Sequence, residues 1–74
     1  MHSLPIFAVV RDRPVIVVGE GEWAAAKRRL LERAGARVVG EEETALLAIV
    51  AVEDDAAAEA AVARLNARGV LVNA

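Results

Sequence analysis

The 74-residue chain contains no cysteine, so no disulfide can staple it and no Cys-ligated zinc or iron–sulfur site can form. Aromatic side chains are almost missing, with only Phe7 and Trp23 present. His2 is the sole histidine; it stands at the chain terminus and is not assigned a catalytic or metal-binding role. No apolar run reaches the roughly 18 residues that a membrane-spanning helix needs. The segment from Met1 to Val10 has no basic stretch ahead of its apolar residues, which argues against a signal peptide. An excess of positive charge is also lacking. Nine basic residues face eleven acidic ones for a net charge of −2, which leaves no electrostatic footprint for nucleic acid or an anionic membrane. These absences predict a soluble, cytoplasmic domain with neither nucleic acid nor membrane as a partner.

What remains is small and apolar. The hydrophobic fraction is 57%, and seventeen of those residues are alanine and twelve valine. A core made of such residues is thin, and a chain this short buries only about 60% of its unfolded surface. Residues 1–74 form one domain at most, with marginal stability or help from a partner surface as the expectation.

The apolar runs are short and continuous, the pattern of strands covered on both faces in a parallel sheet. Val15-Ile16-Val17-Val18 closes on Gly19. Leu46 to Val52 ends in Glu53-Asp54-Asp55, and Val70-Leu71-Val72 follows Gly69. Ala36-Arg37-Val38-Val39 makes a brief strand, and Ile6 to Val10, opened by Pro5, suits an edge strand. Two helices lie between the runs. The first spans about Gly21 to Ala34, with Trp23, Ala26, Leu30 and Ala34 on its inner face, Lys27, Arg28 and Arg29 toward solvent, and Gly35 after its end. The second spans about Asp54 or Asp55 to Arg68, with acids at its start, Arg64 and Arg68 near its end, and Ala58, Ala61, Val62 and Leu65 facing inward. Strands alternating with helices predict βαβ units. The fold class is α/β, Rossmann-like: about half of a doubly wound nucleotide-binding fold, with about four mostly parallel strands and two main helices.

The most informative stretch is Val18-Gly19-Glu20-Gly21-Glu22-Trp23-Ala24, a G-x-G-x-x-A pattern between a β-branched strand and a helix. Gly19 permits the tight turn, Gly21 lets a pyrophosphate approach the backbone, and Ala24 allows close helix–strand packing. The N–H groups opening the helix would face the phosphates. Glu20, Glu22 and Trp23 lie within or beside this candidate cofactor site; the two carboxylates would repel a diphosphate unless they point outward, Glu22 also suits the helix dipole, and Trp23 also suits packing. An acid about 20 residues further on is expected at the adenosine ribose. Glu41 holds that position, Glu42 is the alternative, and Glu41 to Glu43 also reads as a solvated acidic turn. No basic residue follows Glu41 where a 2′-phosphate would sit, so NAD is favoured over NADP.

Three segments together resemble a known family. They are Leu4-Pro5-Ile6-Phe7, then Arg13-Pro14-Val15-Ile16-Val17-Val18-Gly19-Glu20-Gly21, then Lys27-Arg28-Arg29-Leu30-Leu31-Glu32-Arg33-Ala34-Gly35-Ala36. They look like the N-terminal domain of siroheme synthase, the precorrin-2 dehydrogenase and sirohydrochlorin ferrochelatase family. Ala48-Ile49-Val50-Ala51, Asp54-Asp55 and Ala67-Arg68-Gly69-Val70-Leu71-Val72-Asn73 resemble the family's later strand, helix and strand. The resemblance implies NAD as cofactor, hydride removal from precorrin-2 to give sirohydrochlorin, ferrous iron insertion, a tetrapyrrole substrate and a homodimer. It maps the glycine turn onto Gly19, Gly21 and Ala24, and the loop on the nicotinamide side onto Val52, Glu53 and Asp54. The chain departs from the family where its second strand turns acidic after Val39 and where Glu53 stands at a position often held by threonine. The family's key aspartate is expected beyond Ala74, so no catalytic residue is assigned within the chain, no metal site is assigned either, and the 74 residues are expected to be a fragment that is inactive alone. The dimerisation and methyltransferase regions of the family have no counterpart in these residues.

Asp54 and Asp55 lie where open α/β sheets bind ligands, although helix capping is the competing role. Lys27 to Arg33 reads as a solvated helix face, with contact to an anionic tetrapyrrole as the competing role. Two other functions compete with the dehydrogenase portion: a non-catalytic nucleotide-sensing module, and an interaction domain that keeps the fold without the ligand.

Overall fold

The structure is a computed structural model that describes residues 10–73. Four strands and two helices follow in the order β1 (Pro14–Val18), α1 (Glu22–Arg33), β2 (Arg37–Val39), β3 (Leu47–Val50), α2 (Asp55–Ala67) and β4 (Leu71–Asn73). All strand pairs are parallel, and the sheet order is β2-β1-β3-β4. Val15–Val18 pairs with Leu47–Val50, and Pro14–Ile16 pairs with Arg37–Val39. The fold is the expected Rossmann-like α/β arrangement.

Alternation along β1 explains its unbroken β-branched run. Val15 and Val17 face Leu31 of α1 together with Val10 and Ala36. Ile16 faces the other way, into a cluster with Ala48, Val50, Val70 and the α2 residues Ala61 and Leu65. Each face of β1 therefore packs on a different helix, and a polar residue fits neither. Ile16 and Leu65 are the largest fully enclosed side chains at 0% exposure. Each contributes roughly 1.5–3 kcal/mol through burial. Because β2 is added on one side of β1 and β3 on the other, while α1 and α2 cover opposite faces, the strand order reverses between β1 and β3. The crevice at the carboxyl ends of those two strands is where this architecture binds ligands.

Several expectations need correction. The inner stripe of α1 is not Trp23, Ala26 and Leu30. Ala24 and Leu31 are the buried residues, whereas Trp23 and Leu30 are 43% and 41% exposed. The backbone explains this: a Cβ built on Gly19 would lie 3.4 Å from the Ala24 Cβ, so α1 passes the strand end too closely for a large side chain. Arg28 does not simply reach solvent; it is half-buried and its Nη2 donates to the Gly19 carbonyl oxygen at 2.8 Å. The strand in the run Leu46 to Val52 is shorter than that run, covering Leu47–Val50, with Leu46 71% exposed. β4 is not covered on both faces, since Leu71 is 72% exposed at the sheet edge. Of the expected edge strand from Ile6 to Val10, residues 6–9 lie outside the described residues. Val10 is helical and buried, and its carbonyl accepts the Arg13 N–H at 2.9 Å.

The inner stripe of α2 is as expected: Ala61 and Leu65 are buried, and Ala58 and Val62 pack against the same cluster.

Candidate functional site

The glycine turn leaves β1 at its carboxyl end. Gly19 has φ +136°, and a Cβ there would stand 2.1 Å from the Ala51 carbonyl oxygen. Ala51 continues β3 past its last strand residue, and its N–H donates to Val18 at 2.8 Å. The first glycine therefore serves the close approach of two backbones. Gly21 differs. Its φ of 90° and ψ of −172° belong to a region open essentially to glycine alone, and a Cβ there would meet nothing within 4 Å. The space over Gly21 is open to a ligand, as the second glycine of a dinucleotide turn requires. Ala24 is wholly buried beneath the turn.

Gly21 is the N-cap of α1, and no side chain accepts a hydrogen bond from the first turn. The N–H groups that open a helix have no intrahelical partners, and together with the dipole they favour an anion. Glu20, Glu22 and Trp23 around them are exposed. The Arg28 bond to the Gly19 carbonyl ties the turn back to the second turn of α1.

The β3–α2 turn lies at the same edge of the sheet. Val52 is half-buried against the α2-side cluster, and Glu53 is exposed. Asp54 is the N-cap of α2: its carboxylate accepts the Ala57 N–H at 2.8 Å. The capping role weighed for Asp54 is thus occupied.

The acids after β2 are placed elsewhere. Arg64 Nε and Nη2 donate to the two carboxylate oxygens of Glu41 at 2.6 and 3.0 Å. Arg68 donates to the backbone carbonyls of Glu41 and Glu43. The Arg64 guanidinium holds the Glu41 carboxyl below its ordinary value of 4.5, chiefly through that hydrogen bond. Arg64 lies in the last turns of α2, the end opposite the Asp54 cap, so Glu41 is held at the far end of α2 from the edge that carries the glycine turn. The sequence offered no local signal for this pair, whose members lie 23 residues apart. The Arg28 contact with Gly19 was missed for a related reason: an arginine in a basic helical run looks solvated until its neighbours are known.

Among the described residues no group of three or more His, Asp or Glu could hold a metal ion. A cavity of about 210 Å³, lined by Val10, Pro14, Val15, Ala45 and Leu47 among others, lies at the amino ends of β1 and β3. It is apolar and stands away from the glycine turn, so it takes no part in this site. Among the described residues no helix is long and apolar enough to cross a membrane.

Comparison with known proteins finds partial matches. A siroheme synthase of Sodalis glossinidius is 59% identical over 39 residues, 53% of this chain. Siroheme synthase 1 of Pectobacterium atrosepticum is 63% identical over 38 residues, 51% of this chain. The chain resembles the siroheme synthases. A siroheme synthase of Zymomonas mobilis is 61% identical over 36 residues, 49% of this chain. The matched stretch is only 8% of the length of each of these siroheme synthases. No protein-family model matches the chain.

Proposed function

We propose that this chain is the NAD-binding portion of an enzyme that oxidises precorrin-2 to sirohydrochlorin, within a parent protein that also inserts ferrous iron. The observation that carries the reading is the turn Gly19-Glu20-Gly21, with open space over Gly21 and an uncapped α1 behind it. The donor set fits a dinucleotide. The first-turn N–H groups of α1 would take the diphosphate, Gly21 would admit it, and the buried Ala24 keeps the helix close enough to present those groups. The cofactor supplies the hydride acceptor, while the protein supplies binding and orientation. Val52 and Glu53, at the end of β3, would border the nicotinamide half. Glu41 is held by Arg64, and Arg68 holds the backbone on both sides of Glu42, so neither acid is assigned to the ribose. A tetrapyrrole substrate, a homodimer and a cytoplasmic location belong to the same proposal and rest on the siroheme synthase resemblance.

Calorimetric titration with NAD+ tests the reading. Saturable binding is expected. Gly21→Val is expected to abolish it while circular dichroism still reports a folded chain, because a branched side chain would occupy the space over the turn. A folded wild-type chain that gives no heat at millimolar NAD+ overturns the dinucleotide reading. The exposed carboxylates of Glu20 and Glu22 beside Gly21 favour a second reading, an interaction module that has lost the ligand, and the same titration separates the two.

A further inference from the structure

The two helices cover the sheet unevenly. α1 packs mainly on β1 and β2, and α2 packs on β3 and β4 from the other side. Among the described residues, the α1 side of β3 and β4 is thus apolar and thinly covered. Leu47 and Ile49 are half-buried there, and Leu71, paired in register with Leu47, is exposed. At its amino end this face runs into the cavity of about 210 Å³. Val10, Val15, Leu46 and Leu47 supply its apolar walls, and Arg13 and Thr44 are its polar lining residues. An apolar cavity of about 150 Å³ already admits benzene, so a phenyl ring fits in this one.

One wall of the cavity is also where the chain arrives. Val10 is 1% exposed, and the turn after it is pinned: the Arg13 N–H donates to the Val10 carbonyl and the Asp12 N–H to the Gly35 carbonyl. Residues 1–9 lead directly into Val10. They contain no Asp, Glu, Lys or Arg, in a chain that is 27% charged, and only His2 and Ser3 among them are polar. Ile6 and Phe7 are joined to Val10 by about 14 Å of chain or less. A short tether of this kind gives an effective concentration on the order of millimolar, an advantage that a free partner lacks.

We propose that the apolar amino-end face of the sheet is a docking site for the chain's own first nine residues, with the Phe7 ring in the cavity against Leu46 and Leu47. The contact adds large apolar bulk to a core otherwise made of small residues. It is independent of the nucleotide reading.

Proton NMR of the full chain tests it, because Phe7 and Trp23 are the only aromatic residues and the Phe7 ring signals stand apart. Nuclear Overhauser contacts from that ring to the methyl groups of Val15, Leu46 and Leu47 are expected. Thermal unfolding gives a second readout. Phe7→Ser is expected to lower the midpoint by about 10 °C. Leu46→Ser should lower it by several degrees in the unsubstituted chain and hardly at all in the Phe7→Ser chain, because replacing a leucine that only meets water is nearly neutral. If Phe7→Ser does not fold, the ring contacts of the unsubstituted chain still decide. Ring contacts confined to neighbours in sequence, or made with Leu71 in place of the cavity walls, overturn the proposal. Additive effects of the two substitutions overturn it too. So do cavity contacts seen only between differently labelled copies, which would give the site to a second chain.

Discussion

Two turns leave the sheet at the same edge, and they start their helices in opposite ways. α2 begins at Asp54, whose carboxylate accepts the Ala57 N–H, and its first turn is satisfied from within the chain. α1 begins at Gly21, which has no side chain to offer, and its first turn is satisfied by no side chain at all. A good N-cap contributes about 1 kcal/mol, so α1 forgoes stability that α2 collects. The two strands that feed these helices are neighbours of equal depth in the core, and Val18 and Ala51 are hydrogen-bonded across the junction. The difference is therefore not a matter of burial or of sheet position. One turn is finished from within the chain, and the other leaves its opening N–H groups without a side-chain acceptor.

The largest expected effect comes from the glycine that joins the two turns. Gly19→Ala would drive a methyl group into the Ala51 carbonyl and should destabilise the fold by about 3 kcal/mol or more, read as a loss of cooperative thermal unfolding. Gly21→Ala meets open space and bears only the backbone cost of its conformation, roughly 1–3 kcal/mol, so it should melt above Gly19→Ala. The reverse order would break the distinction between a glycine that spares a backbone contact and one that faces open space.

A smaller effect belongs to the finished turn. Asp54→Ala should cost about 1 kcal/mol in urea unfolding, and Asp54→Asn should recover most of it, because the amide oxygen still accepts the Ala57 N–H. NAD+ affinity should hardly move in the asparagine variant. A large loss of affinity there would mean that the β3–α2 turn needs the Asp54 charge for binding as well as for capping.

The smallest effect lies at the far end of α2. The Glu41 carboxyl titrates below its ordinary value of 4.5 because Arg64 binds its charged form. A carboxyl lowered in this way adds stability above its unfolded value and loses it as the pH falls through the folded value. Glu41→Gln should therefore remove a small part of the stability at neutral pH. It should flatten the acid side of the stability profile below about pH 4.5, as followed by urea midpoints. The change should be smaller than that of Asp54→Ala, since the pair is largely solvated.

Much of this fold is legible along the chain. The run Val15 to Val18 names a strand enclosed on both faces, and α1 and α2 stop where Gly35 and Gly69 follow them. The inner stripe of α2 follows from spacing alone, and the cap is narrowed to Asp54 or Asp55, of which the fold uses Asp54. The inner stripe of α1 does not. Trp23, Ala26 and Leu30 form as good a helical stripe as Ala24 and Leu31, and by size they look the better one. The choice is made by how closely the helix passes the strand end, a distance between two segments that no local pattern encodes. Glu41 shows the same limit. Its spacing from Gly21 suits a ribose contact, but its partner is an arginine that the fold brings to it from α2.

The sequence by itself determined most of the units: the four strands of the described sheet, the place of each helix, and the turn with two glycines and an alanine that joins the first strand to its helix. Those features depend on propensity, periodicity and the conformations that glycine alone adopts, all of which act over a few residues. The tertiary structure decided the rest. It set the strand order β2-β1-β3-β4, placed the Ala51 carbonyl where Gly19 must be bare, turned α1 onto its small face, and drew Glu41 to Arg64. These depend on contacts between segments far apart in the chain, and their energies exist only once the sheet has brought the segments together.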